Sequence, residues 1–357
     1  MKLALLSASF RGGGAERVQI TLAGEFARLG HEVHFVAFED DGPLRGEVPA
    51  GVELTVLGVP RVSRGIMPLA RFLRKTDPDV VIAAMVHVGA AALAAQMLSR
   101  WKGKVIVRAD GSRRYHGRKA GGSGSPVLDW LQRILLPGAH ALVGVSSTIA
   151  REYEEDLGLK NCHVIHNPVS ARSGVSVPAK HPFFESGDPV AIAIGRLTKQ
   201  KGFDFLIEVF GGLVEKPDLK LIILGDGDQR QELESLISEL GLDGSVSLPG
   251  FVTDPFPFLR RSSVFALSSE SEPFGLTLVE ALSTGIPVVS TDTEGPRDIL
   301  NDERLGYMVP FGEHKRFGDC ILKALEMPGE YRLVRIDRAA EYAPGRIAQE
   351  YLRLIGN

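Results

Sequence analysis

The sequence predicts an α/β protein built as two doubly wound, Rossmann-like domains. Three observations carry that reading. Short apolar runs alternate with amphipathic stretches along most of the 357 residues, the pattern of parallel strands covered on both faces. Glycine-rich turns follow the first strand of each half, at Arg11-Gly12-Gly13-Gly14 and at Gly195-Arg196-Leu197-Thr198. The rhythm breaks once, at Asn167–Pro189, where Pro168, Pro178, Pro182, several serines and Gly174 replace the periodicity. The expected division is 1–170 for an N-terminal acceptor-binding domain, 171–188 for a linker and 189–342 for a C-terminal nucleotide-binding domain. Residues 343–357 form a last helix whose parent domain the sequence leaves open. A length of this size also predicts two domains.

Each element has its own reason. Met1-Lys2-Leu3-Ala4-Leu5-Leu6 is too short an apolar run for a leader and enters glycines, so Leu3–Ser7 is a buried strand. Ala15–Leu29 is an amphipathic helix stopped by Gly30-His31-Glu32. Val33–Ala37 and Val52–Leu57 are strands, and Pro68–Lys75 is helical. Val80–Ser99 lacks charge and has the length of a membrane span. Its β-branched start and Ala-rich remainder, with His87, Gly89 and Gln96 inside, predict a strand and then a helix instead. Val105–Val107 and Ala141–Val145 complete the first set. Beyond the break come Val190–Ile194, a helix from Phe203, Leu219–Leu224, a helix from Gln229, and Val246–Leu248. Val264–Leu267, a helix from Gly275, Val288–Ser290, Gly306–Val309 and a final helix at Ile347–Ile355 follow. Ligands of such sheets sit at the carboxyl ends of the strands, which predicts a cleft site between facing domains.

Composition excludes several classes. Apolar residues are 44% and charged residues 24%, as in ordinary globular proteins. Two cysteines, Cys162 and Cys320, make no disulfide framework and no zinc pattern; they read as small core fillers in a reducing compartment. The net charge of −3 hides an asymmetry: residues 1–185 carry 23 Lys/Arg against 17 Asp/Glu, and residues 186–357 carry 18 against 27. Residues 61–120 alone hold 13 basic and 3 acidic side chains. That field predicts an anionic partner for the N-terminal half.

Three segments are candidates for chemistry. Gly12-Gly13-Gly14-Ala15-Glu16-Arg17 joins the first strand to a helix, whose free N–H groups suit an anion, and it lacks the spacing of a dinucleotide fingerprint. In Gly195-Arg196-Leu197-Thr198-Lys199-Gln200-Lys201-Gly202-Phe203 one loop carries Arg196 and Lys201, a fork and a point charge for a single diphosphate. In Glu272-Pro273-Phe274-Gly275-Leu276-Thr277-Leu278-Val279-Glu280 two carboxylates bracket a helix N-terminus, with the N–H groups of Gly275, Leu276 and Thr277 between them. Taken singly, these are also a tight turn, a solvated basic loop and an acidic first turn.

As a set, followed by Gly285-Ile286-Pro287-Val288-Val289, they resemble the retaining glycosyltransferases of family 4, which have the GT-B fold. Val145-Ser146, Val164-Ile165-His166-Asn167-Pro168-Val169, Leu224-Gly225-Asp226-Gly227 and Glu294-Gly295-Pro296-Arg297-Asp298-Ile299-Leu300 are similar to that family too. The resemblance implies that Glu280 binds the ribose hydroxyls and that Glu272 contacts the donor sugar near the reaction centre. It implies that Arg196 and Lys201 neutralise the diphosphate leaving group, and that Gly13 and Gly14 close on the donor. Gly250, Phe251 and Val252 edge the base pocket, and Phe274, Gly275, Leu276 and Thr277 complete the donor set. Many relatives carry a His after the strand matching Val105–Val107; here Asp110 stands near that place, and His87 is the other candidate. The acceptor is expected on Arg108, His87, Arg113 and Arg114, within a basic surface that includes Arg61, Arg64, Arg118 and Lys119.

The implied activity is transfer of a hexose or N-acetylhexosamine from a UDP- or GDP-sugar, with UDP favoured. The implied acceptor is a glycan or a lipid-diphosphate-linked sugar in surface polysaccharide or glycoconjugate synthesis. No cofactor and no metal are expected. Asp226-Gly227-Asp228 resembles a DxD metal signature but reads as a glycine turn, and Asp77-Pro78-Asp79 as a turn before a strand. The expected location is the cytoplasm, peripherally on an anionic membrane face. A sugar-nucleotide epimerase of the same fold is one rival. A polyanion- or RNA-binding protein is another, weakened because only Trp101 and Tyr115 lie near the basic region.

Overall fold

The computed structural model describes residues 1–115, 126–170, 179–213 and 219–356, with 126–129 described by main chain alone. It divides into two units, Met1–Pro168 with Ala343–Asn357, and Val169–Tyr342.

The first unit is a seven-stranded parallel sheet. Its strands are β1 Lys2–Ser7, β2 Glu32–Ala37, β3 Val52–Val56, β4 Val80–Ala83, β5 Lys104–Ala109, β6 Ala141–Gly144 and β7 Cys162–Val164, in the order β3-β2-β1-β4-β5-β6-β7. Leu3, Leu5, Val81, Ile82 and Ile106 are sealed from solvent, as expected for strands with helices on both faces. The order reverses between β1 and β4, so the turns after those strands lie at the topological switch point. Gln19, on the helix Gly14–Arg28, bridges that point by donating to the carbonyls of Leu6 (3.0 Å) and Ile82 (2.9 Å).

The second unit is a six-stranded parallel sheet: β8 Val190–Ile194, β9 Lys220–Leu224, β10 Val246–Gly250, β11 Val264–Leu267, β12 Val288–Thr291 and β13 Gly306–Val309. Its order is β10-β9-β8-β11-β12-β13, with the switch point between β8 and β11. Phe203, Leu206, Leu221, Ile223, Phe317 and Ile321 share its core.

Val80–Ser99 is a strand followed by the helix Val86–Ser99, and among the described residues no helix is long and apolar enough to cross a membrane. The structure adds elements, redraws the linker and assigns the last helix. The short edge strand β7 and the helix Ser147–Leu157 were not anticipated; β7 is only three residues, too few for a visible period. The described part of the expected linker belongs to the second unit. There Arg261 donates to the carbonyls of Ala179 (2.8 Å) and Phe184 (2.9 Å), and His181 lies 3.1 Å from the Ser247 hydroxyl. Residues 171–178 lie outside the described residues. The last helix, Pro344–Gly356, belongs to the first unit, burying Ile347, Ala348, Tyr351 and Ile355.

Candidate active site

In the second unit the two chemical segments meet at the switch point. The loop after β8 runs through Gly195-Arg196-Leu197 into a single helical turn, Lys199–Lys201. The turn after β9 braces it: Leu197 N–H donates to the Asp226 carbonyl (3.0 Å) and Gln229 N–H to the Leu197 carbonyl (3.0 Å). Asp226 itself accepts from Gly227 N–H (2.8 Å) and from Arg230 (3.1 Å). That Arg230 contact, with the Gly227 hydrogen bond, holds its carboxyl below the usual range. Asp226 therefore orders a turn, and among the described residues no three His, Cys, Asp or Glu side chains group as metal ligands.

The loop after β11 is tied to the first by several bonds. Ser268 Oγ donates to the Lys201 carbonyl (2.9 Å), Gln200 Nε2 to the Ser271 carbonyl (3.0 Å), and Glu270 N–H to the Gln200 carbonyl (2.8 Å). Lys201 Nζ donates to Glu272 Oε2 at 2.5 Å, and Ser269 Oγ donates to the same oxygen at 3.2 Å. Glu272 is only 8% exposed, so the ammonium holds a carboxylate that could not stand alone. Arg196, on the same loop, is exposed, and among the described residues no carboxylate pairs with it.

Gly275, at φ +101°, turns the chain into the helix Leu276–Thr284. A side chain is costly in that left-handed conformation. The N–H groups of the helix's first turn have no partner within the helix. Glu280 lies one turn further, half-buried. The Phe274 ring packs inward on Tyr342, with centroids 5.4 Å apart, so its side chain is a core element and only its main chain belongs to the loop. Gly250 closes β10, accepting from Gly225 N–H (2.9 Å), and Phe251 beyond it is 70% exposed, with Val252 half-buried.

The sequence reading did not give Glu294 a role. It is buried after β12, accepting from Ser271 Oγ (3.0 Å) and from Glu272 N–H (3.0 Å), so it fixes the loop that carries Glu272. Its signal was its place at the head of Glu294-Gly295-Pro296-Arg297-Asp298-Ile299-Leu300, one of the segments that carry the resemblance.

In the first unit the residues after β1 and β4 behave differently from expectation. Gly13 is the N-cap of the helix Gly14–Arg28, and the Glu16 carboxylate folds back over it. Arg108 was expected on the acceptor surface; it is fully buried. It donates to Asp110 (2.5 Å), Asn167 (2.7 Å) and Gln19 (3.3 Å). Asp110 is committed as well, because its second oxygen accepts from Met85 N–H (3.0 Å), where the backbone stands at φ +66°. Both residues therefore anchor the start of the helix Val86–Ser99, and Arg108, sealed from solvent, is not on the acceptor surface where it was expected. His87 sits exposed in the first turn of that helix.

The basic surface is also redrawn. Arg114 pairs with Glu155 (2.7 Å) and Asp156 (2.8 Å), and Arg113 reaches Asp156 (3.8 Å) and Gln132 (2.8 Å), so acids of the helix Ser147–Leu157 neutralise this pair. Arg118 and Lys119 lie outside the described residues. Exposed basic side chains without a carboxylate partner among the described residues cluster instead around the helix Ile66–Thr76, where they include Arg61, Arg64, Arg71, Arg74 and Lys75. Both thiols are shielded, and burial pushes Cys162 up to about 11.

A family model described as "Glycosyltransferase Family 4" matches residues 12–172, and one described as "Glycosyl transferases group 1" matches residues 179–342. The chain belongs to the family 4 glycosyltransferases. This family 4 chain is 34% identical over 212 residues to a lipopolysaccharide core biosynthesis glycosyltransferase, LpsE, of Rhizobium meliloti, covering 58% of this chain and 61% of LpsE. It is 26% identical, over 99% of each chain, to the N-acetylgalactosamine-N,N'-diacetylbacillosaminyl-diphospho-undecaprenol 4-alpha-N-acetylgalactosaminyltransferase of Campylobacter jejuni. Its fold is that of Anabaena HepE, solved in complex with UDP, with a TM-score of 0.81, 19% identity and complete coverage of both chains. The architecture of this family 4 chain is accordingly GT-B, two Rossmann-like units in tandem.

Proposed function

We propose that this family 4 protein transfers a hexosyl or N-acetylhexosaminyl group from a UDP-sugar to a glycan or lipid-diphosphate-linked acceptor, with retention and without a metal. One observation carries the reading. At the switch point of the second sheet, Arg196 and the Lys201–Glu272 pair stand beside the N-terminus of the helix that bears Glu280. As the bond from the anomeric carbon to the β-phosphate breaks, the carbon becomes cationic and the phosphate gains charge. Arg196, Lys201 and the helix N–H groups are fixed positive groups for that charge. Glu272, held between Lys201 and Ser269, faces the sugar. A new bond to the acceptor oxygen then forms on the same face, while that hydroxyl passes its proton to the departing β-phosphate oxygen, and UDP leaves. Relatives named for lipopolysaccharide synthesis and for a diphospho-undecaprenol acceptor support the acceptor class.

The decisive measurement is donor binding. Glu280→Ala is expected to weaken UDP affinity about tenfold or more, the loss of hydrogen bonds to a charged acceptor. Unchanged UDP affinity by calorimetry would remove the ribose assignment. Glu272→Gln separates binding from chemistry: it should keep UDP affinity, because Lys201 is released toward phosphate, and lose turnover. If affinity and turnover fall together, Glu272 is a structural carboxylate.

The protein is further expected to bind anionic vesicles through the first unit. Each basic side chain near an anionic surface is worth about 1 kcal/mol, and the attraction fades within a Debye length. Sedimentation with anionic vesicles should be strong at low salt and collapse at high salt. Arg71, Arg74 and Lys75 changed together to Ser should reduce it. A protein that ignores anionic vesicles at low salt has its basic face turned to a water-borne acceptor.

A further inference from the structure

The C-terminal half is acidic, and most of the described arginines of the second unit are paired. Arg230, Arg261, Arg297, Arg304, Arg316 and Arg338 each meet a carboxylate. Among the described residues, Arg332 and Arg335 meet none, a condition they share with Arg196 of the candidate donor loop. These two arginines converge on a cavity of about 340 Å³, which Arg260, Ser263, Thr284 and Pro287 also line.

The cavity is distinct from the site already described. Ser263 immediately precedes β11 and Pro287 immediately precedes β12, whereas the candidate donor loops follow the carboxyl ends of β8, β11 and β12. In a parallel sheet these are opposite edges.

Arg335 is the telling group. It is only 3% exposed, and its guanidinium donates to the carbonyls of Arg304 (3.0 Å) and Gly285 (3.1 Å) and to Met327 Sδ (3.3 Å). All three acceptors are neutral, and a guanidinium has five N–H donors. The bond to Gly285 satisfies the end of the helix Leu276–Thr284, where a cation is favourable. Together the three bonds occupy one donor on each Arg335 nitrogen, leaving one N–H on each terminal nitrogen, and they account for nothing of Arg332. Burial lowers the Arg335 pKa, the mark of a cation that lacks compensation. Gly285 stands at φ +83°, and a Cβ there would overlap the stem of Arg332. The missing side chain lets Arg332 lie in across the helix end, toward its neighbour.

We propose that this cavity is a second anion site, which binds a small phosphorylated molecule through Arg332 and Arg335. Arginine forks match phosphate oxygens two at a time. The volume is at the lower end for small-molecule pockets and equals that of roughly ten liquid waters, enough for a phosphate with an attached sugar.

The test uses the full chain with its donor loop disabled as Arg196→Gln/Lys201→Gln, so that phosphate bound there does not contribute. The result is then independent of the glycosyltransfer reading. Glucose 6-phosphate and inorganic phosphate are titrated by calorimetry and thermal shift. Glucose 6-phosphate is expected to bind this variant and raise its Tm, with inorganic phosphate weaker. Adding Arg332→Ala, at an exposed position, should weaken binding about tenfold or more, the effect of one charge-assisted hydrogen bond. Arg335→Lys, which keeps the charge and loses the fork, should do the same. The proposal is overturned if neither probe binds the donor-loop variant, or if Arg332→Ala and Arg335→Lys both leave its affinity unchanged.

Discussion

Arg196→Ala and Lys201→Ala are each expected to lower sugar-transfer turnover by about 10²-fold or more, the scale of removing one fixed group from a developing charge. The two losses should not multiply. Both side chains serve one leaving group, so the double variant should be little worse than the poorer single one. Lys201 carries a second duty that Arg196 lacks, because its ammonium compensates the buried Glu272 at 2.5 Å. Lys201→Ala should therefore also lower the melting temperature of the second unit, whereas Arg196→Ala should not. Activity should persist in chelator. Turnover within threefold of the parent for either variant would take the loop away from the leaving group. Loss in chelator with recovery on adding Mg²⁺ would make the charge metal-borne.

The largest stability effect is expected at Arg108→Met. Removing one partner of a buried ion pair costs about 3–5 kcal/mol, because the other charge stays behind. Here Asp110 would be left with its Met85 contact alone, and Gln19 and Asn167 would each lose a donor. Arg108 Nε already has no partner among the described residues, so the guanidinium itself is incompletely satisfied. Replacing both residues, as Arg108→Met/Asp110→Asn, should recover part of the loss. Both tryptophans, Trp101 and Trp130, lie in the first unit, so their fluorescence in urea reports on that unit alone. A loss below about 1 kcal/mol would mean that the network is solvated and that Arg108 is free for other work.

These two sites also show what sequence can and cannot carry. The sheet strands were legible because strands buried on both faces are nearly continuous apolar runs, and because Gly and Pro punctuate them. Gly195–Phe203 and Glu272–Glu280 were legible because their chemistry is local: loop cations, a helix start and two carboxylates within nine residues. Arg108 was not. Nothing in Val105-Ile106-Val107-Arg108-Ala109-Asp110 says that Gln19 and Asn167 wait to receive it, 89 and 59 residues away. The same holds for Arg113 and Arg114, whose neutralising acids arrive on a helix some forty residues later. Charge counted along a chain cannot reveal pairing made by the fold, and so Arg113 and Arg114 read as open basic groups while, among the described residues, Arg61 and Arg64 are the ones left without a carboxylate.

The last helix has a bearing on how the protein is made. The main chain leaves the first unit at Pro168 and returns at Ala343, and Val169 N–H donates to the Tyr342 carbonyl (2.8 Å) where the second unit begins and ends. The second unit is thus a closed excursion, with its two ends pinned together. The first is assembled from two stretches of sequence. Tyr351 sets its ring edge-on to Phe26 at 6.5 Å, and Lys104 reaches the Ile355 carbonyl at 2.6 Å. On the ribosome, where domains generally form in order of synthesis, the first unit emerges first yet lacks part of its own core until the helix Pro344–Gly356 clears the exit tunnel. The second unit has all its strands before then. A nascent chain halted near residue 342 should therefore carry a compact second unit beside a first unit that proteases still cut.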